Sequence, residues 1–520
     1  MRVLRRALVG AVFLPSVALA QQEGASGATP DSAASAPTPA AEATASPDRG
    51  PLVFNPSRVP ARLTMGEASD TVRARPGFFT RLGHAYRDAW NAPAYSAPAP
   101  GDTPAPRRGL PASFDSPPLP VGDWQLGASL SVGDQNNSTV YPLMQALYDG
   151  PNGAWWRKSR FMIYGWADVG TNFSSSVTTN APAAYAVRPR HIELDQFLLR
   201  FERKADEAQT DHFDWGFRFD NIYGLDYRYT TMKGVFSNQL LTKNNTYGYD
   251  PVMFYFDFYL PKIAQGTNIR VGRYISAPDI EAQLAPDNAM YTHSLLYSVD
   301  PYTQMGIVAT TKLSKNWTIQ LGVNAGNDVA IWQADERKLT GMACLQWISS
   351  ANKDSFYGCV NSINKGQYGY NNLQDFVGTW THKFSDRVVT ATEAYYMYQK
   401  NVPAVGGPLP TITNANGAVC DPGQISCFAP EYAVLNQTII RTGPNSFMTI
   451  RNEFLNDIRG QRTGFATLYT EHAIGFTMWP NKVMTVRPEF RYEHSYNTPA
   501  YDGGIKSNQV LAAVDVIMHF

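Results

Sequence analysis

Apolar and polar residues alternate with a period of two over most of the chain beyond Trp155. In the segment Trp317–Asn324, the odd positions carry Trp, Ile, Leu and Val, and the even positions carry Thr, Gln, Gly and Asn. Because successive side chains of a β-strand point to opposite faces, this pattern predicts strands with one apolar and one polar face. We predict sixteen strands, at 159–173, 191–203, 212–223, 252–260, 268–275, 302–312, 316–325, 338–348, 354–363, 372–383, 387–398, 431–441, 446–455, 467–478, 482–493 and 507–520.

The predicted strands are joined by tight turns, such as 313–315 and 479–481, and by long loops, such as 224–251 and 399–430. Transmembrane barrels have short turns on the periplasmic side and long loops outside. A soluble β-sandwich also alternates, but here many strands pair aromatic residues with full charges, and no helix is available to cover them. We therefore predict an all-β fold, a transmembrane antiparallel β-barrel of about 16 strands with both ends on the periplasmic side.

The chain before the barrel has a different composition. Residues 1–20 have the basic start, the apolar stretch and the small-residue cleavage site of a secretory signal peptide, cleaved near Ala20. Residues 21–120 hold 17 of the 36 prolines among many Ala, Ser and Thr. This composition cannot bury a core, so we expect a disordered Ala/Pro-rich periplasmic arm. The alternative is a segment that contacts peptidoglycan or plugs the barrel.

A short lead-in, residues 121–158, separates this arm from the barrel domain at 159–520. Two short helices are predicted, around 77–89 and at 141–148, and neither carries recognisable chemistry.

Composition limits the classes of function. The chain has 44 Lys and Arg residues against 44 Asp and Glu residues, and this balance argues against a nucleic-acid partner. Its mean hydropathy of −0.29 is too polar for a bundle of membrane-spanning helices. No segment after the signal peptide approaches the roughly 20 apolar residues that a spanning helix needs.

All four cysteines lie beyond the signal peptide, and export to an oxidising compartment favours disulfides. Cys344 and Cys359 are equally far from a turn near Ala351–Asn352, so a regular hairpin places them opposite each other. This register predicts a Cys344–Cys359 disulfide and leaves Cys420 and Cys427 to close a small loop, one of three pairings that four cysteines allow. No histidine lies at ligand spacing beside them, and we expect neither a metal nor another cofactor.

The last predicted strand has one apolar face. Every second residue from Val510 to Phe520 is apolar, and Gln509, Asp515 and His519 lie on the opposite face. A chain that ends on an outward-facing Phe resembles the terminal recognition signal of bacterial outer-membrane barrels. We therefore expect Phe520 to act as an assembly signal, with outer-membrane lipid and the barrel-assembly machinery as partners.

Several short segments carry a resemblance to a known family. Together with the strand pattern, they make the region from about Trp155 to Phe520 resemble the OmpL-like β-barrel porins of bacterial outer membranes. The resemblance implies a barrel in the outer membrane with a pore function, supplies no catalytic residue and no substrate, and does not extend to the Ala/Pro-rich arm. The segments are Tyr164–Trp166 with Asp168, Phe213–Arg218, Arg451–Phe454 with Asn456–Asp457, and Arg487–Arg491.

If the Phe, Trp and Val positions contact lipid, the alternate positions face the lumen. A charge on the lipid face would cost roughly 2–4 kcal/mol at mid-depth for Arg or Lys, which favours this assignment. Acidic and basic sides of a lumen would orient passing polar solutes. Alternatively, Arg and Glu on adjacent strands simply pair and stiffen the wall. The predicted pore-lining residues are Arg200, Arg218, Asp220, Arg270, Glu393, Arg451, Glu453, Arg487, Glu489, Arg491 and Glu493.

The segment 276–301 is the candidate constriction loop, because it is long and follows the fifth predicted strand. Such a loop can fold inward and narrow a pore, or it can cap the barrel from outside, and the sequence leaves both open. The segment 224–251 competes for the same role. The polar residues of the candidate loop are Asp279, Glu281, Asp287, Tyr291 and His293.

These features predict an outer-membrane porin, through which small polar solutes or ions diffuse along a water-filled lumen lined with Arg, Glu and Asp. The first alternative is a non-conducting scaffold or adhesin tethered to the cell wall, and the second is a gated, substrate-specific channel. The sequence also leaves open whether the barrel forms a homo-oligomer. We do not expect an enzyme, because His472 is the only mid-strand imidazole predicted to face outward and no serine is evident as its partner.

Overall fold

The computed structural model describes residues 76–94, 140–276, 279–351, 353–385, 387–412 and 416–520. Strands dominate these residues. The strands are β1 (Met162–Ser174), β2 (Ile192–Arg203), β3 (Asp214–Gly224), β4 (Gly248–Leu260), β5 (Thr267–Ile275), β6 (Thr303–Lys312), β7 (Trp317–Asn327), β8 (Thr340–Ile348), β9 (Asp354–Ile363), β10 (Gln374–Lys383), β11 (Val388–Pro403), β12 (Ser426–Gly443), β13 (Ser446–Asp457), β14 (Thr467–Asn481), β15 (Met484–Ser495) and β16 (Asn508–His519). The helices are α1 (Phe78–Asn91), α2 (Pro142–Tyr148), α3 (Gly153–Ser159), α4 (Tyr227–Thr230), α5 (Asn238–Leu241) and α6 (Leu295–Val299), with a 3₁₀ turn at Ala285–Asp287.

The sixteen strands form one closed antiparallel barrel. Each strand pairs with its neighbours in the chain, and β1 pairs with β16 in a register that joins Trp166 to His519 and Ser174 to Leu511. Closure pairs every strand on both sides, so the sheet has no open edge. The predicted sixteen-strand antiparallel barrel is confirmed.

Three strand boundaries differ from the prediction by four or more residues. β4 begins at Gly248, β11 continues to Pro403, and β12 begins at Ser426. The additional residues of β11 and β12 pair with one another, with Val402 opposite Cys427, so this hairpin extends beyond the predicted strands. At the start of the barrel, α3 reaches Ser159, where the sequence predicts the first strand to begin.

The two faces of the barrel wall differ in chemistry. In β7, Trp317 and Leu321 lie on the outer face and are 42% and 53% exposed, whereas Thr318 and Gln320 point inward and are buried. The exposure of large apolar side chains marks this outer face as the surface that meets hydrocarbon. Among the described residues, none of the helices is both long and apolar enough to cross a membrane.

The connections at the two ends of the barrel differ in length. Short turns at 313–316, 444–445 and 482–483 lie at one end, and long connections at 225–247 and 404–425 lie at the other. The short-turn end of such barrels is periplasmic. Both the first residues of β1 and the last residues of β16 lie at this end.

The first helices lie at the periplasmic end, beside the seam between β1 and β16. The Arg81 Nε donates to the Ala146 carbonyl at 2.9 Å and joins α1 to α2. The Tyr86 hydroxyl lies 3.4 Å from the His519 carbonyl, and the Tyr141 ring stacks on the His519 ring with centroids 4.5 Å apart. Helices α1 and α2 therefore lie where the sequence predicts its two helices; the signal peptide lies outside the described residues, as does most of the arm.

Two disulfides join the four cysteines. Cys344 of β8 bonds to Cys359 of β9, and these residues are directly opposite each other in the sheet. Cys420 bonds to Cys427 at the outer end of the β11–β12 hairpin. The pairing is the one that the hairpin register predicts.

Candidate pore and inward loop

The connection between β5 and β6 lies inside the barrel, and we call residues 279–302 the inward loop. Of its residues from 279 to 300, all but Pro286 and Ser298 are buried. The backbone N–H of Ile280 donates to Glu393 of β11 at 2.7 Å, and the backbone N–H of Thr292 donates to Glu489 of β15 at 2.9 Å. The loop thus starts at β5 and reaches wall strands that lie far from it around the barrel.

Acidic groups of the wall accept hydrogen bonds from the backbone of the inward loop. Besides the bonds to Glu393 and Glu489, the N–H groups of Leu295 and Leu296 both donate to Glu453 of β13, the first at 2.8 Å. A buried backbone N–H needs an acceptor, and a carboxylate makes this bond stronger than a neutral acceptor would. Three wall carboxylates therefore hold the loop at three separate places.

Arginines of the wall bind the carbonyl oxygens of the same loop. Arg487 of β15 donates from Nη1 to the carbonyls of Ala285, at 2.6 Å, and Asn288, at 3.2 Å. Arg451 donates to the Thr292 carbonyl and Arg491 to the His293 carbonyl. These guanidinium groups point inward from β13 and β15 and bind carbonyl oxygens, whereas the wall carboxylates bind N–H groups. The loop backbone is therefore bound by charges of both signs.

The polar side chains of the loop take up different positions. Glu281 accepts from Gln437 of β12 at 2.7 Å and from Arg451 of β13 at 2.9 Å. The Tyr291 hydroxyl donates to Asp195 of β2 at 2.9 Å. Asp279 bonds to a wall carboxyl, and Asp287 is buried in the 3₁₀ turn.

His293 lies within a stack of aromatic rings in the loop region. Its ring centroid is 3.7 Å from that of Tyr185 and 4.6 Å from that of Tyr297. Burial lowers the pKa of His293 well below its ordinary value, and nearby arginines act in the same direction. The imidazole is therefore neutral at physiological pH and belongs to the packing of the loop.

The inward-facing arginines of the wall are paired with carboxylates. On one side of the barrel, Arg451 and Arg491 both contact Glu471, at 2.8 Å and 3.4 Å, and Arg487 contacts Asp515 of β16, with Nε 3.1 Å from Oδ1. Among β2 to β5, the pairs are Arg200–Asp220 at 2.7 Å, Arg218–Glu202 at 2.8 Å and Arg270–Asp257 at 2.9 Å.

All eleven predicted pore-lining residues point into the barrel, and ten of them are buried, with Arg270 only partly so. Their contacts with one another and with the inward loop account for much of this burial. Sequence reasoning missed their partners Glu202, Asp257 and Glu471, although these lie in the same phase of the strand alternation. In the register of the sheet, Glu202 lies directly opposite Arg218, and Asp257 lies directly opposite Arg270. The strand register is therefore the signal that would have identified Glu202 and Asp257 as partners.

Two further residue placements concern chemistry. His472 lies on the outer face of β14, with Nδ1 2.8 Å from the side-chain oxygen of Asn452. Within the part of the chain that the structure describes, no group of three or more His, Cys, Asp or Glu side chains is arranged to hold a metal ion.

A closed sixteen-strand barrel with an apolar outer face, a charged inner face and a loop folded inward defines the class of outer-membrane porins. The chain belongs to the family described as "Putative beta-barrel porin-2, OmpL-like", whose model matches residues 160–520. This confirms the family that the sequence motifs suggested. It also indicates the bacterial outer membrane as the location of the protein.

Several solved structures are similar to the chain, whereas no curated protein sequence matches it. One is the outer membrane channel DcaP of Acinetobacter baumannii, with 10% identity, a TM-score of 0.45, and coverage of 69% of this chain and 97% of that one. Another is an anion-selective porin from Comamonas acidovorans, with 8% identity, a TM-score of 0.45, and coverage of 69% and 99%. A third is a loop-deletion mutant of OmpT from Vibrio cholerae, with 7% identity, a TM-score of 0.41, and the same coverage.

Proposed function

We propose that the protein is a porin that lets small polar solutes and ions diffuse passively across the outer membrane. The observation that carries this proposal is the inward loop. Wall side chains cannot fill a sixteen-strand barrel, so a segment held across the interior sets the width of the remaining path. The charged groups that hold the loop, among them Arg451, Glu453 and Arg487, then present both signs of charge to a passing solute.

We infer that export depends on the start of the chain and assembly on its last strand. A signal peptide cleaved near Ala20 would deliver the chain to the periplasm. The Phe520 backbone N–H donates to the Gly165 carbonyl at 2.9 Å, and its ring stacks on Phe197 with centroids 5.5 Å apart. This position on the closing seam supports a role for Phe520 in recognition by the barrel-assembly machinery.

One observation favours the alternative of a non-conducting scaffold. Ten of the eleven predicted lining residues are buried, which is unusual for the wall of a wide aqueous channel. In that case the barrel would serve as an anchor, and the arm before α1 would bind peptidoglycan. Helix α1 lies at the periplasmic end of the barrel, so the chain that precedes it starts from the correct side of the membrane for such a contact.

Single-channel recording of the refolded, full mature chain in a planar bilayer decides between these functions. A porin gives discrete open steps whose conductance rises with salt concentration. Correct folding of the barrel is checked separately by its resistance to unfolding in cold detergent. A correctly folded protein that gives no conductance steps would contradict the porin function and favour the scaffold. Sedimentation with purified peptidoglycan, with and without residues 21–75, tests the role of the arm separately.

We also infer that the outer wall of β11 to β14 contacts a second copy of the chain. Thr392, Asn436, Asn452 and His472 face outward and lie side by side across these four strands. The Asn436 side-chain N–H donates to Thr392 at 2.8 Å. Polar side chains are disfavoured against hydrocarbon, and a neighbouring subunit would shield them from the lipid.

Apolar residues surround this polar row on the same outer face. Val434 and Phe454 lie on one side of it and Ile474 on the other, and they are 44%, 36% and 41% exposed. On the far wall, β7 presents Leu321 and Val323 instead. The polar row therefore lies between apolar residues of the outer wall, and this supports an interface between subunits at this place.

A further inference from the structure

We propose that this pore selects for cations, and that five carboxylates between the inward loop and strands β10 to β12 bind the ammonium or guanidinium group of a passing solute. We call them the acidic cluster: Asp279 and Asp300 of the loop, Asp375 of β10, Glu393 of β11 and Glu431 of β12. The proposal rests on the proposed function, because it names the class of solute that the pore would carry.

The distribution of ion pairs in the barrel gives the first argument. Each inward arginine of β2 to β5 and of β13 to β15 has a carboxylate partner within 4.0 Å. The reverse does not hold among the described residues. Several buried carboxylates have no Lys or Arg at this distance, namely Asp195, Asp226, Asp300, Asp375, Glu393, Glu431, Glu453 and Glu489. When these carboxyl groups are ionised, the fixed charge that they add to the lumen is negative, as in channels that select cations.

The acidic cluster gathers this excess in one place. Asp279 forms side-chain hydrogen bonds with both Glu393 and Asp300. Asp375 lies near enough to interact electrostatically with Asp300 and with Glu431. Two carboxyl groups can bond to each other only if they share a proton, so without a cation the cluster must hold protons to reduce its repulsion.

Unpartnered atoms point into the same region and give a second, independent argument. One carboxylate oxygen of Asp300 is buried without a hydrogen-bond partner among the described residues, whereas the buried carboxylate of Glu431 has the Tyr395 hydroxyl beside it as a donor. The hydroxyl of Tyr297 also lacks a partner among the described residues, although this side chain is at least nine-tenths buried. Tyr297 lies beside Asp300, and Tyr395 lies beside Glu431. Such groups are costly to bury, so a hydrogen-bond donor is missing from this place.

The chemistry of the missing donor follows from the groups around it. An ammonium has three N–H donors and a guanidinium five, and neither needs the converging ligands that a metal ion requires. The described residues contain no such metal-binding arrangement. The rings of Tyr297 and Tyr395 add faces that attract organic cations.

One arginine lies close enough to compete for the cluster. Arg462 interacts electrostatically with Glu431 and Asp457. Its Nε and Nη2 both donate to the Val299 carbonyl, at 2.8 Å and 2.6 Å, so these two atoms are occupied by the loop backbone. Arg462 therefore leaves the carboxylate of Glu431 available to a solute.

The test measures reversal potentials of the refolded, full mature chain under a KCl gradient. We expect the reversal potential to have the sign that indicates a higher permeability to K⁺ than to Cl⁻. Free arginine added on the side of the long loops should reduce the KCl current, because its guanidinium and ammonium groups enter the cluster, whereas free glutamate should not.

The variant that tests the site is the double substitution E431Q/D375N, which keeps side-chain shape and removes two charges. We expect the ratio of K⁺ to Cl⁻ permeability to fall by about five-fold or more in this variant. This is the change in ion occupancy that follows from removing one unit charge ~4 Å from the ion in water. The block by arginine should be lost as well. The matched control is D421N, because Asp421 is an exposed acid of the outer β11–β12 connection that pairs with Arg459.

The outcomes separate this proposal from the proposed function. A conducting barrel that prefers Cl⁻, or whose selectivity is the same in E431Q/D375N and wild type, overturns the cation site while the porin stands. A folded barrel that never conducts overturns both. Loss of selectivity in D421N to the same extent as in the double variant also overturns the assignment of the site.

Discussion

Arg451 of β13 and Glu281 of the inward loop form a buried ion pair, with Nη1 2.9 Å from Oε1, although 170 positions separate them in the sequence. Arg451 also contacts Glu471 of the wall and the carbonyl of Thr292 in the loop. One guanidinium thus connects the loop to the wall, and removal of its loop partner should loosen both.

Substitution of Glu281 by Gln tests this connection. The amide keeps the shape of the side chain but loses the charge that faces Arg451, so we expect the free energy of unfolding to fall by about 1–3 kcal/mol. Denaturant unfolding of protein refolded into lipid vesicles measures the change. Asp421→Asn removes an exposed acid with an arginine partner and should leave stability unaltered; an equal loss in both variants would argue against a special role for the buried pair.

The carboxylates that bind the loop backbone should set the conductance. Glu453→Gln together with Glu489→Gln weakens the charge-assisted bonds to Leu295, Leu296 and Thr292. We expect a larger mean conductance and more frequent fluctuations in single-channel records, because the loop is held less firmly in the pore. Glu336→Gln is the control, since Glu336 pairs with Lys233 outside the membrane-spanning strands. Unchanged conductance in the double variant would show that the loop does not limit the current.

The disulfides should differ in their contribution to stability. Cys344 and Cys359 are 15 positions apart and join two barrel strands, whereas Cys420 and Cys427 are 7 apart in an outer loop. The chain-entropy relation gives a loss of about 3 kcal/mol for replacement of the first pair by alanine and about 2 kcal/mol for the second. Unfolding of the two double variants with and without reductant measures both values. A larger loss for the outer pair would contradict this order.

The polar row on the outer wall predicts an oligomer. Asn452→Leu with His472→Leu removes two of its polar groups, so we expect a shift from oligomer to monomer in detergent, measured by analytical ultracentrifugation. The control is Asn221→Leu, because Asn221 is a polar residue of β3 that lies outside the polar row and bonds to Tyr249. If the wild-type chain sediments as a monomer, the interface proposal fails. It fails equally if both variants dissociate alike.

Selectivity should depend on pH through Asp279. Burial raises the pKa of Asp279 to about 6 from 3.8, and the charge of Glu281 acts in the same direction, although hydrogen bonds with Glu393 and Asp300 oppose the rise. Asp375 and Tyr357 also face this group. The carboxyl is neutral below pH 6 and charged above it, so we expect the K⁺ over Cl⁻ ratio to be higher at pH 8 than at pH 5.

The same shift affects stability with a defined sign. The folded state holds the proton of Asp279 more tightly than the unfolded state, so this group stabilises the fold below about pH 4, and the contribution is lost as pH rises through about 6. The Asp279→Asn substitution should weaken the pH dependence of selectivity and the pH dependence of stability. Reversal potentials of the wild-type and variant proteins at pH 5 and pH 8 measure the pH dependence of selectivity. A wild-type ratio that falls with rising pH would contradict the assignment.

The sequence by itself determined the wall of the barrel. Period-two alternation reports which face of a strand meets hydrocarbon, and hydrocarbon penalises charge strongly enough to fix that phase along every strand. A hairpin with a short turn also fixes its own register, and for this reason Cys344 could be placed opposite Cys359 in advance. Strand ends were less certain, as in β12, because pairing beyond the membrane is not marked by apolar residues.

Only the tertiary structure decided what fills the interior. The composition of residues 279–302 does not by itself decide between a loop that folds inward and one that caps the barrel, because both kinds of loop mix polar and apolar residues and both suit a long connection. The choice depends on wall groups such as Glu393, Arg451 and Glu489, which are 113 to 197 positions from their loop partners. Whether a backbone N–H is satisfied by water or by a distant carboxylate is settled only when the barrel closes and brings the two together.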